Sequence, residues 1–379
     1  MTERAWWRSI RGVAALVAAG IILAACSSSP KTIAGTTSTT AAHQAGTTST
    51  TAPASTTTST LPSTGPLTAQ APVAIPLATA QVVAAEGPDG AVFVAAQAPD
   101  DAAPSLVYVV DGNTPAAVAE HISSGVAALA ADASYLYVAT YTTVTSYSRT
   151  TGNQVQLWHL PAFSTANSSD DDLVSMSAGG GKVYVLISEG NTLNVLSIDP
   201  SSPAAPASVA QAISAAVGSD GTLYYEATSH ALTSLSPGGK TTTGSMLDDA
   251  PNGLGDGVQY VNTVAGGYVW VAEPAGQGLD QGWKTYGATS LQPLGSFGGD
   301  TGQRVVDTAA GPLVLSTASA TSACSQQGES GVACVSRITA QGTMTAPVQA
   351  TNAIALFGPD PAIIETNSAF TALSLIRLV

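Results

Sequence analysis

Seven times between residues 84 and 364 the chain repeats one short phrase: small or apolar residues, a turn rich in Gly, Asp, Pro or Ser, then a run of β-formers. The copies occupy 84–94, 128–138, 175–185, 215–225, 261–271, 305–315 and 354–364. Marked by their middle β-former (Phe93, Tyr137, Tyr184, Tyr224, Trp270, Val314 and Ile363), they stand 44, 47, 40, 46, 44 and 49 residues apart. Self-similarity of this kind means that each copy is one supersecondary unit. Such a unit cannot bury its apolar face alone and must stack on its neighbours.

A period of roughly 40–45 residues is that of one four-stranded propeller blade, and is too long for a leucine-rich or ankyrin unit. A fainter β-like run follows each copy, at 106–111, 144–147, 193–199, 232–236, 284–286, 332–338 and 373–378, and reads as the third strand of each blade. The turns keep one phase: Pro88-Asp89-Gly90, Gly179-Gly180-Gly181, Ser219-Asp220-Gly221 and Ala265-Gly266-Gly267 all sit where a tight hairpin needs positive φ. No stretch of the body carries a capped 3.6-residue apolar period. The sequence therefore predicts an all-β, seven-bladed β-propeller over 71–379. The run 71–77 is expected to supply the missing outer strand of the last blade and so close the ring.

The first seventy residues have a different character. Arg4, Arg8 and Arg11 precede an apolar segment over 12–22 and the tetrapeptide Leu23-Ala24-Ala25-Cys26, the layout of an export signal. Its last four residues resemble the lipobox of bacterial lipoproteins. That resemblance implies a signal peptide over 1–25, lipidation of Cys26, and a chain held by its lipid on the outer face of the cytoplasmic membrane. Residues 26–70 form a Thr/Ser/Ala/Pro tract with Lys31 as its one charge, expected to be a disordered tether.

Removing Arg4, Arg8, Arg11 and Glu3 from 11 basic and 25 acidic residues leaves a mature net charge of −16. So acidic a chain is a poor partner for nucleic acid, whose binding draws on Lys and Arg. Cys324 and Cys334 flank nine residues, and in an exported protein such a local pair is most economically a disulfide.

The phrases Gly87-Pro88-Asp89-Gly90-Ala91-Val92-Phe93 and Gly218-Ser219-Asp220-Gly221-Thr222-Leu223-Tyr224 resemble the core repeat of the NHL, YncE-like and streptogramin-lyase-like propellers. No Trp-Asp dipeptide marks a WD40 repeat. The stretch from Tyr147 to Gly152 with Trp158 departs from the quinone-docking motif, and Gly179-Gly180-Gly181-Lys182 lacks the spacing of a phosphate loop. No Gly-x-Ser-x-Gly or His-Glu-x-x-His occurs.

Carboxylates collect in the loops of one predicted rim. The candidate binding residues there are Glu189, Glu226, His230, Glu273, Asp280 and Glu365, with Trp283 expected to be an exposed stacking residue in the longest rim loop. Two functions stay open. One is a lipid-anchored, monomeric binding or scaffold propeller without a cofactor, presenting an acidic rim to a protein, peptide or glycan. The alternative is a metal-dependent lyase or lactonase. The streptogramin-lyase resemblance implies a divalent cation for it, near Glu226, His230 and Glu273. Scarcity of histidine favours the first.

Overall fold

The computed structural model describes residues 66–77, 81–97, 105–111, 114–122, 125–161, 173–189, 192–247, 260–273, 282–298, 302–316, 333–350, 352–367, 369 and 371–379. Every regular element among them is a strand, as the period predicted.

The first sheet runs outward from β2 (Val82–Glu86) through β3 (Val92–Ala96) and β4 (Ser105–Asp111) to β5 (Thr114–Ile122), antiparallel throughout. The next repeats it with β6 (Ala128–Ala131), β7 (Tyr135–Ala139), β8 (Thr143–Ser148) and β9 (Gln154–His159). A seven-stranded sheet follows: β10 (Leu173–Gly179), β11 (Lys182–Glu189), β12 (Thr192–Ile198), β13 (Ala207–Val217), β14 (Leu223–Ala227), β15 (Ala231–Leu235) and β16 (Thr241–Met246). Then come β17 (Tyr260–Ala265), β18 (Tyr268–Glu273), β19 (Gly282–Gly287) and β20 (Pro293–Gly298), followed by β21 (Gly302–Val306), β22 (Leu313–Ser316), β23 (Cys334–Ile338) and β24 (Met344–Gln349). The last sheet joins β25 (Ala353–Phe357), β26 (Ala362–Thr366) and β27 (Leu373–Arg377) to the N-terminal β1 (Val73–Ile75), which lies outermost.

All seven repeated phrases are the hairpin between the first two strands of such a meander, and all seven fainter runs are its third strand. The ladders count six sheets because β13 serves twice. Its first half pairs with β12 and its second half with β14, with a bulge between Ala212 and Ser214 where Ala212 faces both Leu193 and Ala227.

Burial follows from the pleat. Two-sided strands such as Val92–Ala96 and Leu313–Ser316 are buried on both faces, because each sheet is sandwiched between two others. Seven apolar clusters fill the spaces between neighbouring sheets and between the halves of the seven-stranded one. Val82, Val92 and Val94 meet Phe357, Ile364 and Leu375 in the cluster that joins the first sheet to the last, so the arrangement is a closed ring.

Closure uses the predicted strand. Val73 pairs with Leu375 and Ile75 with Leu373. The pairing also begins earlier than the expected boundary at 71: Thr68 N–H donates to the Val379 carbonyl at 2.8 Å, Ala69 bridges Leu378, and Leu67 is buried.

Candidate functional site

Antiparallel meanders put their turns alternately at two ends. The turn joining first to second strand and the turn joining third to fourth share one face of the ring, here the lower. The other connections share the upper face.

The lower face is made of short turns that pack on one another. Gly90 (φ 80°) and Gly221 (φ 78°) take the left-handed conformation that their hairpins require. A Cβ at Gly90 would overlap that of Asp360, and one at Gly221 would overlap the Gly179 backbone, so neighbouring turns touch with no room for a side chain. Two arginines grip the Pro88-Asp89-Gly90 turn from either side. Arg149 Nη2 donates to both Asp89 carboxylate oxygens at 2.7 and 2.6 Å, while its Nη1 donates to the Asp132 carbonyl at 2.7 Å and its guanidinium lies over Phe93. Arg377 Nη1 donates to the Gly90 carbonyl at 2.9 Å and pairs with the Asp360 carboxylate at 2.7 Å. Burial raises the Asp89 carboxyl, but the Arg149 hydrogen bond and charge outweigh it and hold the group below its ordinary range.

Glu86, at the lower end of β2, is 2% exposed and accepts the backbone N–H groups of Gly358 (2.7 Å) and Asp360 (3.2 Å) in the turn after β25. Burial pushes its carboxyl up to about 7, against the pull of those two donors, Arg377 and Arg304. Arg304 is itself buried beside the Phe357 ring, and desolvation lowers its guanidinium to about 10. This group ties the first sheet to the last at the seam of the ring.

On the upper face the structure brings Glu226 and His230 together. Glu226 sits on β14 opposite Ser214 of β13, in a register that points its carboxylate toward the start of β17. It is 1% exposed, receives a hydrogen bond from Ser214 Oγ at 3.3 Å, and lies 2.9 Å from His230 Nδ1. Ser214 Oγ in turn accepts the Val261 N–H at 2.8 Å, so the cluster staples β14 to the next sheet. His230 has φ 63°, its N–H bonds the Ala227 carbonyl, and its own carbonyl accepts the Leu247 N–H. The contact of Nδ1 with the Glu226 carboxylate fixes the orientation of the imidazole ring. The expectation that Glu226 projects into an open mouth is therefore corrected: the carboxylate is enclosed and positions a half-exposed histidine.

Trp283 is corrected likewise. It is not an exposed loop residue but lies on β19 opposite Ala272, 3% exposed, with its ring edge-on to Trp270 at 6.5 Å. Glu365, on β26, is half-buried, and desolvation raises its carboxyl. Glu189 and Glu273 end β11 and β18 at the upper face, their side chains lying outside the described residues. Asp280, Cys26 and Cys324 also lie outside them. Among the described residues no three of His, Cys, Asp and Glu gather closely enough to hold a metal ion.

Sequence reasoning missed the seam. The equivalence appears only once the strand ends are known: Glu86 is the one charged residue ending the first strand of a meander, where the others end in Ala131, Gly179, Val217, Ala265, Val306 and Phe357.

No protein-family model matches the chain, and no curated protein matches it in sequence. Solved structures do. The β-propeller domain of Cps50 (Swd1) from Myceliophteria thermophila aligns with TM-score 0.55 at 9% identity, over 82% of this chain and 99% of that one. The WD40 domain of Toxoplasma gondii coronin aligns with TM-score 0.48 at 10% identity, over 83% and 86%. Apo AztD from Citrobacter koseri aligns with TM-score 0.37 at 16% identity, over 57% and 59%. The ring of radially stacked antiparallel meanders, matched almost end to end by the first of these, is a β-propeller.

Proposed function

We propose that this protein is a lipid-anchored, extracytoplasmic binding propeller of seven blades that presents its upper face to a protein, peptide or glycan. The fold is compatible with a binding or scaffold role, and fold alone does not choose a ligand. The observation that carries the reading is the asymmetry between the two faces. Lower-face connections between strands run to eight residues at most, and turns there such as those at Gly90, Gly180 and Gly221 pack directly on a neighbouring turn. The connections of 13, 13 and 17 residues, at 160–172, 247–259 and 317–333, all leave from the upper face. Together with 97–104, 274–281 and 299–301 they hold eleven acidic residues and no lysine or arginine. Five lower-face carboxylates are instead used internally. Asp89 and Asp360 hold arginines, Asp199 pairs with Lys182, and Asp132 and Asp220 cap their own turns. Long connections on a rigid ring are where binding residues concentrate.

The reading of seven blades is supported by the two pairings of β13 and by the seven apolar clusters among the described residues. The division into a signal peptide over 1–25, a tether from Cys26 and a propeller body, and the location on the outer face of the cytoplasmic membrane, rest on the Arg-rich start and Leu23-Ala24-Ala25-Cys26. The pairing of Cys334 with Cys324 is supported by the complete burial of Cys334 at the head of β23 and its state as a half-cystine. The enzymatic alternative draws on the Glu226–His230 contact, but Glu226 spends its oxygens on Ser214 and His230.

The test is capture of partners by the full-length anchored protein against a variant carrying Asp170→Asn, Asp171→Asn, Asp172→Asn, Asp248→Asn and Asp249→Asn. Wild-type capture should weaken with added salt and fall in the variant, with melting unchanged. Equal capture by both proteins would move the functional surface off the upper face.

A further inference from the structure

We propose that the propeller hangs from the membrane by its lower face, so that the upper face is turned away from the lipid and is the surface a partner meets. This rests on the lipid-anchor reading above and adds to it which side of the ring is presented.

The argument starts from where the tether enters the fold. Leu67 is buried in the cluster that also holds Val306, Leu356 and Leu378. Thr68 and Val379 exchange N–H to carbonyl bonds at 2.8 and 3.0 Å, and Gln70 N–H donates to the Arg377 carbonyl at 2.9 Å. Arg377 is bound to Gly90 and Asp360, and Leu378 N–H donates to the Pro361 carbonyl at 2.7 Å, all in lower-face turns. The chain ahead of Pro66 therefore leaves from the lower rim, fixed there by core burial and strand pairing with no slack.

On the tether reading, the roughly forty residues from Cys26 to this point would span roughly 35 Å root-mean-square as a Gaussian coil. An inverted ring would require the same coil to reach past its whole height, on the order of 30 Å for strands of this length with their turns. For a Gaussian coil, an end displacement of about 30 Å lowers the probability roughly threefold. Charge acts in the same direction. The upper connections carry eleven acidic residues and no lysine or arginine. An anionic lipid surface repels them within a Debye length, ~8 Å at physiological salt. At the lower face Asp89, Asp199 and Asp360 are each paired with a cation, Arg149, Lys182 and Arg377 respectively.

The experiment uses the full-length lipidated protein in vesicles of phosphatidylethanolamine and phosphatidylglycerol doped with a headgroup-linked acceptor dye. A donor dye is placed through Lys240→Cys, in the exposed lower turn between β15 and β16, or through Ser229→Cys, in the exposed upper turn between β14 and β15. Background is set by the protein without the added cysteine. Energy transfer to the membrane should be several-fold greater from position 240 than from position 229. The excess should shrink, without vanishing, when phosphatidylglycerol is omitted. Equal transfer from both positions, or greater transfer from 229, in protein that floats with the vesicles overturns the orientation while leaving the anchor intact. Protein that fails to float with vesicles, like the Cys26→Ala control, overturns the anchor and the orientation with it.

Discussion

Glu86 should make the propeller more stable in mild acid than at neutral pH. In the folded protein its carboxyl is raised from 4.5 to about 7, chiefly because 2% exposure strips it of water. A carboxyl raised on folding binds its proton more tightly in the native than in the unfolded chain. Its contribution is therefore fully present below about 4.5 and is lost as pH rises through about 7. A shift of ~2.5 units at ~1.4 kcal/mol each is about 3 kcal/mol across that window. For a body of about 310 residues, with an unfolding entropy near 2 cal/mol/K per residue, this is a fall in melting temperature of about 5 °C. Glu86→Gln removes the proton and keeps one acceptor for the Gly358 N–H, but sets its amide nitrogen against the Asp360 N–H. The variant should start about 1 kcal/mol less stable than wild type at pH 4.5. It should then cross above wild type before pH 7.5, since it lacks this loss. The assay is thermal melting at half-unit steps from pH 4.5 to 8 for both proteins, with groups common to both cancelling in the difference. A difference curve that stays flat across this range would falsify the assignment of the linkage to Glu86.

Two further outcomes follow from packing. Trp270→Ala empties a position that is fully buried between Tyr268 and Trp283, and should cost about 3–5 kcal/mol in chemical denaturation; a loss below 1 kcal/mol would contradict its place in the core. Deleting 67–75 removes the outer strand of the last sheet and the buried Leu67, and should sharply lower stability and expose an aggregation-prone edge, whereas deleting 30–60 should leave the melting temperature within a degree or two; comparable melting of the two deletions would show that ring closure does not depend on β1.

The parts of the fold legible in the sequence were those set by local rules. Gly90, Gly221 and Gly267 mark hairpins because only glycine takes positive φ there without steric cost, and β-formers such as Val183-Tyr184-Val185 follow at once. The weak run around Thr285 was readable as a third strand from its phase alone. Trp283 misled because Gly278 and Gly282 made its surroundings look like a loop, while its depth was decided by Trp270 on the adjacent strand. Glu226 looked like a rim carboxylate by its distance from the turn. Ser214 and Val261, from two other strands, enclose it, and that relation has no local signature. The seam was hidden for the same reason: Glu86 meets Gly358 across a separation of 272 residues. What marks it is a charge at the end of a first strand, where the other six first strands end in an apolar residue or glycine.

The closing strand also imposes an order in time. Thr68 and Val379 hydrogen-bond across 311 positions, so the segment that leaves the ribosome first has no strand partner until the last residues arrive. Every other sheet can complete itself from consecutive strands as they emerge, through contacts that are short in sequence. Until then the nascent body is an open arc with two unpaired ends, the β1 segment and the flank of the first sheet. Its passage from arc to ring is a single late event. A chain arrested a few residues short of Val379 lacks the pairing that holds residues 68–70 to the end of the last sheet.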